Sequence, residues 1–303
     1  MIEPYAPIDL SHLHPSVRNT AMLPADERIQ RIRVDRWIGY TRAVSALERL
    51  ETLLNWPSKQ RMPNLLLVGA TNNGKSMIIE KFRRQHRPQS SPEQEHIPVL
   101  CVQMPSEPSV LRFYVALLGA LGAPLRVRSR APELERFALS LMRQVGVRML
   151  VIDELHNVLA GTGNTRREFL NLLRFLGNEL RIPLVGVGTR EAYLAIRSDD
   201  QLENRFEPIV LPLWEQNDET YSLLASFAAA FPLRRRSSIS SPDMARYLLT
   251  RSEGTIGEMA RLLTAAAIVA VESGEEAINQ RTLTMADYAG PTERRRLFER
   301  ELS

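Results

Sequence analysis

The sequence predicts an α/β fold: a parallel five-stranded sheet flanked by helices, followed by a small all-helical domain. Two observations carry this. Five short apolar runs, Asn64–Val68, Pro98–Gln103, Arg148–Ile152, Pro183–Val187 and Pro208–Leu213, alternate with helical stretches beginning near Lys75, Ser109, Glu133 and Arg166. Each run is continuously apolar, as a strand covered on both faces must be, and strands alternating with helices form parallel sheets. After Trp214 the strand signal stops, and helical periodicity takes over at Glu219–Phe231, Pro242–Arg251, Ile256–Glu272 and Leu283–Tyr288.

Residues 1–30 are rich in Pro and His, lack a sustained period and read as an extended arm. From Thr41, Val44, Leu47, Leu50, Leu53 and Leu54 form one apolar helical stripe that ends at Pro57. The organisation expected is therefore an N-terminal arm and helix at 1–57, a core at 58–213, a helical domain at 214–290 and a charged tail at 291–303. The polar stretch Arg234–Ser241 links two of the helices. Leu262–Val271, the longest strongly apolar stretch, is about half a membrane span and is bounded by Arg261 and Glu272, so it reads as a buried helix.

With 44% hydrophobic and 24% charged residues the 303-residue chain has the composition of an ordinary globular protein, and no membrane partner is expected. Cys101 is the single cysteine, which excludes an internal disulfide and suits a reducing cytoplasm. Lysine occurs only at Lys59, Lys75 and Lys81, leaving 36 of the 39 basic residues as arginine. That excess reflects either codon bias or a polyanionic partner, since arginine contacts phosphate through a bidentate fork.

Gly69-Ala70-Thr71-Asn72-Asn73-Gly74-Lys75-Ser76 matches G-x-x-x-x-G-K-[ST] between the apolar strand Leu65–Val68 and a helix opening at Met77. In such a loop, backbone N–H groups turn inward around phosphate oxygens and the helix N-terminus adds a favourable dipole. Lys75 is the candidate for the β- and γ-phosphates, and Ser76 for a magnesium ligand. Leu150-Val151-Ile152-Asp153-Glu154 ends a buried strand in two carboxylates, with Asp153 the candidate Mg²⁺ ligand and Glu154 the candidate base that polarises water.

The order of these motifs, followed by a strand ending in a polar residue, an Asn-Arg-Phe segment and a helical lid, resembles the P-loop AAA+ superfamily. Residues 37–290 are most similar to the bacterial TniB transposition proteins, relatives of TnsC and more distantly of MuB. The similarity runs through Asp35-Arg36-Trp37-Ile38, Asp153-Glu154-Leu155-His156-Asn157 and Leu176-Gly177-Asn178-Glu179-Leu180. It continues in Gly186-Val187-Gly188-Thr189-Arg190-Glu191-Ala192 and Gln201-Leu202-Glu203-Asn204-Arg205-Phe206. The resemblance implies ATP and Mg²⁺ as cofactors, Thr189 as a polar sensor, and Arg205 as a finger reaching a neighbouring subunit's nucleotide. It aligns Trp37, Ile38 and Tyr40 with residues that wrap adenine, although these side chains serve equally as a hydrophobic seam. Where relatives carry a lid arginine, Gly254-Thr255-Ile256-Gly257-Glu258 puts Glu258, with Arg261 one turn further on as a substitute; slow hydrolysis would follow.

Arg126, Arg128 and Arg130 alternate along one predicted loop, and Thr165, Arg166 and Arg167 lie in another after the acidic strand. Such loops suit backbone contacts to double-stranded DNA, without sequence specificity; solvated arginines are the plainer reading. The function the resemblance implies is ATP-dependent regulation of transposition. It would involve a homo-oligomeric ring or filament on DNA, a transposase with target-selection proteins, and hydrolysis that disassembles the complex in the bacterial cytoplasm. The alternative is a protein-remodelling or clamp-loader-like ATPase. No zinc spacing or nuclease carboxylate set is evident.

Overall fold

The computed structural model describes residues 9–90, 95–124 and 130–302. They belong to two compact units, one formed by Arg42–Pro212 and one by Met1–Thr41 together with Leu213–Ser303.

In chain order the strands of the first unit are β1 (Asn64–Gly69), β2 (Gln89–Ser90), β3 (Glu95–His96), β4 (Val99–Gln103), β5 (Met149–Asp153), β6 (Leu184–Gly188) and β7 (Phe206–Leu211). β2 and β3 form a short antiparallel ribbon, and the other five make a parallel sheet ordered β4-β5-β6-β1-β7. Every residue of the interior strands β1 and β6 is buried, which is why these runs show no polar alternation. β7 lies at an edge, where Glu207 is exposed and Pro208 is tolerated because only one side must supply ladder hydrogen bonds. Helices Val110–Ala120, Ala131–Gln144 and Gly163–Leu180 supply Phe113, Leu117, Met142, Phe169 and Leu173 to a continuous core with Leu100, Leu150 and Ile152. Parallel strands end together, so the ends of β1, β5 and β6 share one edge, where ligands of open α/β sheets bind.

For the described part of residues 1–30 the second unit corrects the reading as an extended arm; residues 1–8 lie outside the described residues. Pro15–Ala21 and Ala25–Arg33 are helices. Pro15 stands in the first turn, where a missing N–H is harmless, and the His14 side chain accepts from the Ser16 N–H. Asp26 and Glu27 open the next helix and Arg31 and Arg33 close it, matching the helix dipole. Its buried face is Arg28 and Ile32, one turn apart, too short a stripe for periodicity to reveal. Arg28 donates twice to Glu276, at 2.6 Å each, and the His14 N–H donates to Ala229 O at 2.9 Å. The Arg36 guanidinium lies 4.7 Å over the Phe231 ring.

The remaining helices of this unit are Asp218–Ala230, Pro242–Ser252, Ile256–Glu272, Gln280–Met285 and Pro291–Glu301. Ile256–Glu272 contains the Leu262–Val271 stretch and buries Met259, Leu262, Leu263, Ala266 and Ala267. Among the described residues no single helix is long and apolar enough to cross a membrane. Pro291–Glu301 buries no residue.

Candidate functional site

β1 runs directly into the predicted phosphate loop. Gly69 lies against β7 so closely that an added Cβ would meet Leu211 O at 3.0 Å. Gly74, at φ 86°, and Asn72, at φ 60°, take the left-handed conformation, which Gly adopts freely and Asn tolerates. Asn73 is buried, and its amide donates to Leu211 O at 3.0 Å and Pro212 O at 2.9 Å, fastening the loop to the end of β7. Ala70, Thr71, Asn72, Ser76 and Met77 are exposed.

Helix Lys75–Gln85 starts within the motif and carries Lys75 and Ser76 in its first turn. Lys75 is buried, and its Nζ donates to Gly69 O at 2.9 Å and Ala70 O at 2.7 Å. Burial pulls its pKa below the usual lysine value, while the charges of Asp153 and Glu154 pull it up. The Ser76 hydroxyl is 3.5 Å from Asp153 Oδ2, so the two candidate metal ligands from β1 and β5 converge. An anionic phosphate group with Mg²⁺ fits these residues: a hydroxyl and a carboxylate are hard oxygen donors, and a lysine stands beside an exposed glycine-containing turn.

β6 lies between β1 and β5, so Thr189 directly follows the strand between the loop and the acidic pair. The Thr189 hydroxyl donates to Glu191, whose carboxyl is held below its usual pKa first by that bond and then by its own backbone N–H. Glu154 follows β5 at φ 56°, a left-handed conformation costing about 1–3 kcal/mol for a residue with a Cβ. Its N–H donates to Asp153 Oδ1 at 2.8 Å, and its Oε2 is 3.3 Å from His156 Nε2.

Arg205 precedes β7 and donates from Nη1 to Asn178 Oδ1 at 2.8 Å, joining two segments that carry the family resemblance. Beside it, Lys59, Arg61, Met62, Asp200 and Asn204 line a depression of about 500 Å³. Sequence reading assigned no role to Asn178, His156, Glu191, Lys59 or Arg61; for Asn178, His156 and Glu191 the only signal was their place in family-like segments.

In the helical unit, Tyr40 is buried and meets Trp214 edge-on, with ring centroids 5.0 Å apart, while Trp37 and Ile38 line a cavity of about 620 Å³ with Ala229 and Ala230. Glu258 is buried. It accepts from Arg294 at 3.0 and 2.8 Å and from the Tyr288 hydroxyl at 2.9 Å. Arg261 is exposed, its guanidinium 5.9 Å from the Tyr288 ring centroid.

Of the expected DNA-contact residues, Arg126 and Arg128 lie outside the described residues, and Arg130 is exposed just before helix Ala131–Gln144. The expected basic loop at Thr162–Arg167 is instead the opening of helix Gly163–Leu180, capped by the Thr162 hydroxyl, which accepts from the Thr165 N–H. Serine or threonine before a first turn is a cap signal that the loop reading passed over. Arg166 turns inward, donating to Leu159 O at 3.2 Å, whereas Arg167 is exposed.

The sheet order, the loop after β1 and the helical unit define an AAA+ P-loop fold, which implies nucleotide binding with Mg²⁺ and relates the chain to Walker-type ATPases. The sequence matches the family model of the bacterial TniB protein over residues 28–216 of 303, and the chain belongs to that family. No curated protein matches it. Similar solved structures include the Aeropyrum pernix ORC2 protein, at 15% identity and TM-score 0.57, covering 85% of this chain and 70% of that one. Cdc6p from Pyrobaculum aerophilum matches at 16% identity and TM-score 0.55, over 82% and 68%. The Aeropyrum pernix ORC1 protein in complex with DNA matches at 15% identity and TM-score 0.51, over 84% and 67%. These likenesses establish the fold.

Proposed function

We propose that this chain is an ATP-dependent DNA-binding regulator of transposition, assembling on duplex DNA with ATP and coming apart on hydrolysis. The observation that carries the reading is the meeting of Ser76 with Asp153, beside Lys75 and Glu154, in a chain of the TniB family. Lys75 neutralises the β- and γ-phosphates, with the loop N–H groups from Gly69 to Met77 around them. Ser76 and Asp153 hold Mg²⁺, which when bound neutralises phosphate charge. Glu154 takes a proton from the attacking water, and Thr189 orients groups between it and the γ-phosphate.

Arg205 acts in the next subunit's site, where a guanidinium offsets charge on the transferred phosphoryl group. A contact in which one subunit's arginine serves another's nucleotide is heterologous, so it builds rings or helical filaments. Two further observations support the reading: the Arg205 depression carries the cations Lys59 and Arg61, and the similar ORC1 structure is a complex with DNA. Arg130, Thr165 and Arg167 with the Gly163 helix start are candidate backbone contacts to DNA; Arg166 is committed to the Leu159 carbonyl. Recruitment of a transposase and target-selection proteins completes the role.

Electron microscopy of the protein with duplex DNA tests the reading. Ordered assemblies are expected with a non-hydrolysable ATP analogue and none without nucleotide; assembly indifferent to nucleotide overturns it. Mixing R205A with K75A protein tests the shared site. Each variant alone should be inactive, and mixtures should regain hydrolysis where an intact site meets an intact arginine. Mixed assemblies that stay inactive at every ratio would rule out action in trans.

A further inference from the structure

The residue after β5 that carries the candidate base is followed at once by a 3₁₀ turn, Leu155–Ala160. Because Glu154 leaves the strand in a left-handed conformation, this turn brings the side chain two residues later back to the carboxylate. His156 Nε2 lies 3.3 Å from Glu154 Oε2. The opposite ring nitrogen, Nδ1, is buried and has no hydrogen-bond partner. The ring is seated against the end of β6: a Cβ added at Gly188 would be 3.3 Å from His156 Nδ1, 3.3 Å from His156 N and 2.7 Å from the Ala192 Cβ. A glycine there leaves room for the imidazole beside the strand that leads to Thr189.

These two environments select the tautomer. A proton on Nδ1 would be a buried donor with no acceptor, the more expensive kind of unsatisfied group. A proton on Nε2 faces a carboxylate, and an uncharged Nδ1 lone pair is the lesser loss. These surroundings favour the Nε2–H tautomer, with Nε2 facing Glu154 Oε2 at 3.3 Å.

We propose that His156 is a positioning residue for Glu154: its Nε2–H holds Oε2, fixes the carboxylate rotamer and leaves Oε1 to accept the proton of the attacking water. This rests on the reading of Glu154 as the base. A glutamate has three side-chain torsions, and a half-exposed carboxylate samples several of them; a donor fixed 3.3 Å from Oε2 selects one. His156 touches neither nucleotide nor water in this scheme and acts only through Glu154.

The test compares H156A, H156N and H156Q with parental protein and E154Q, following steady-state hydrolysis, affinity for a fluorescent ATP analogue and melting temperature. H156A should lower kcat about ten- to hundredfold, the usual scale for losing a group that orients a reacting one, with nucleotide Kd within about twofold. Glutamine can put its amide N–H where Nε2 lies and should restore most of kcat. Asparagine puts its amide near the Nδ1 position and should not. Nitrogen NMR of the nucleotide-free protein should show His156 as the Nε2–H tautomer, a readout independent of turnover and of whether H156A folds. Parental hydrolysis in E154Q would overturn the base assignment itself. If E154Q is impaired but H156A keeps parental kcat, only the His156 proposal falls. It also falls if all three His156 variants are equally impaired, which would mark a packing role, or if NMR finds the Nδ1–H tautomer.

Discussion

At the C-terminal edge of the sheet, the Lys75 ammonium faces backbone carbonyls, the Ser76 hydroxyl faces Asp153, and the Glu154 N–H donates to Asp153 Oδ1. In the helical unit, Arg28 is matched to Glu276 and Arg294 to Glu258, each through two hydrogen bonds from one guanidinium. Both regions contain buried charge, but they satisfy it differently. The Lys75 ammonium meets neutral carbonyls and Glu154 stands in a strained backbone conformation, whereas the glutamates of the helical unit have full-charge partners in good geometry. A buried charge held by neutral dipoles is suited to an ionic ligand, while a closed ion pair is suited to holding helices in register. Buried charge is therefore left open to a ligand in one unit and closed into the fold in the other.

Breaking each kind of charge should give opposite signatures. The largest effect belongs to K75A, which should abolish ATP binding in a fluorescent-nucleotide titration while leaving the melting temperature close to parental. The hydrogen bonds to the Gly69 and Ala70 carbonyls are lost from the fold, but so is the cost of keeping an ammonium buried. Retained ATP affinity would remove Lys75 from the site. E154Q follows: hydrolysis should fall at least about a hundredfold, the scale of a general base, with ATP affinity maintained. Phosphate release at the parental rate would count against the assignment.

R28A should do the reverse. It leaves Glu276 buried without its guanidinium, and removing one partner of a buried pair destabilises by about 3–5 kcal/mol. The neighbouring Arg234 N–H, which donates to Glu276 Oε2 at 3.1 Å, puts the expectation at the lower end of that range. Urea unfolding measures this, and nucleotide affinity per folded molecule should stay parental. A loss below about 1 kcal/mol, the range of surface pairs, would mean that water replaces the guanidinium.

The two units were unequally legible in the sequence. The sheet strands and the phosphate loop could be read because buried parallel strands make continuous apolar runs and the loop has a rigid residue grammar. Sheet order is set by contacts distant in sequence, so the place of Thr189 between the loop and the acidic pair was implied only by the family resemblance, and the order β5-β6-β1 supplies the physical reason. The N-terminal helices were missed because Pro15–Ala21 and Ala25–Arg33 are short and anchored by polar groups: the His14 backbone N–H to Ala229 O, and the Arg28 guanidinium to Glu276. Hydrophobic periodicity carries no record of such partners. Glu258 showed as a departure from its relatives, but its partner Arg294 lies in what read as a solvated tail. His156 was visible only as a letter in a family-like segment, since its meaning depends on the left-handed turn at Glu154.

The smallest effect should be seen in acid, and it tests whether the helical unit's carboxylates act as charges. Burial pushes the Glu276 pKa up, but hydrogen bonds from Arg28 and the Arg234 N–H, with both guanidinium charges, outweigh it and leave the pKa below the usual value. Glu258 is also lowered, first by hydrogen bonding from Arg294, against burial and with help from the Tyr288 hydroxyl. In the unfolded chain both would titrate near about 4.3. With the folded values lower, the unfolded state takes up protons first, so this stabilisation is complete above about pH 4.3 and is lost as pH falls through the folded pKa values. E276Q cannot lose a charge it does not have. Its melting temperature should start below parental at neutral pH and then decline less steeply, the curves converging as pH falls below about 4.3 and through the lower folded pKa. Because Glu258 still titrates, the variant's slope should be reduced but not abolished, and the E258Q/E276Q double variant should be flatter again. Parallel curves for parental protein and E276Q would mean that Glu276 gains nothing from ionisation in the fold. Its pairing with Arg28 would then be a matter of shape and hydrogen bonding alone.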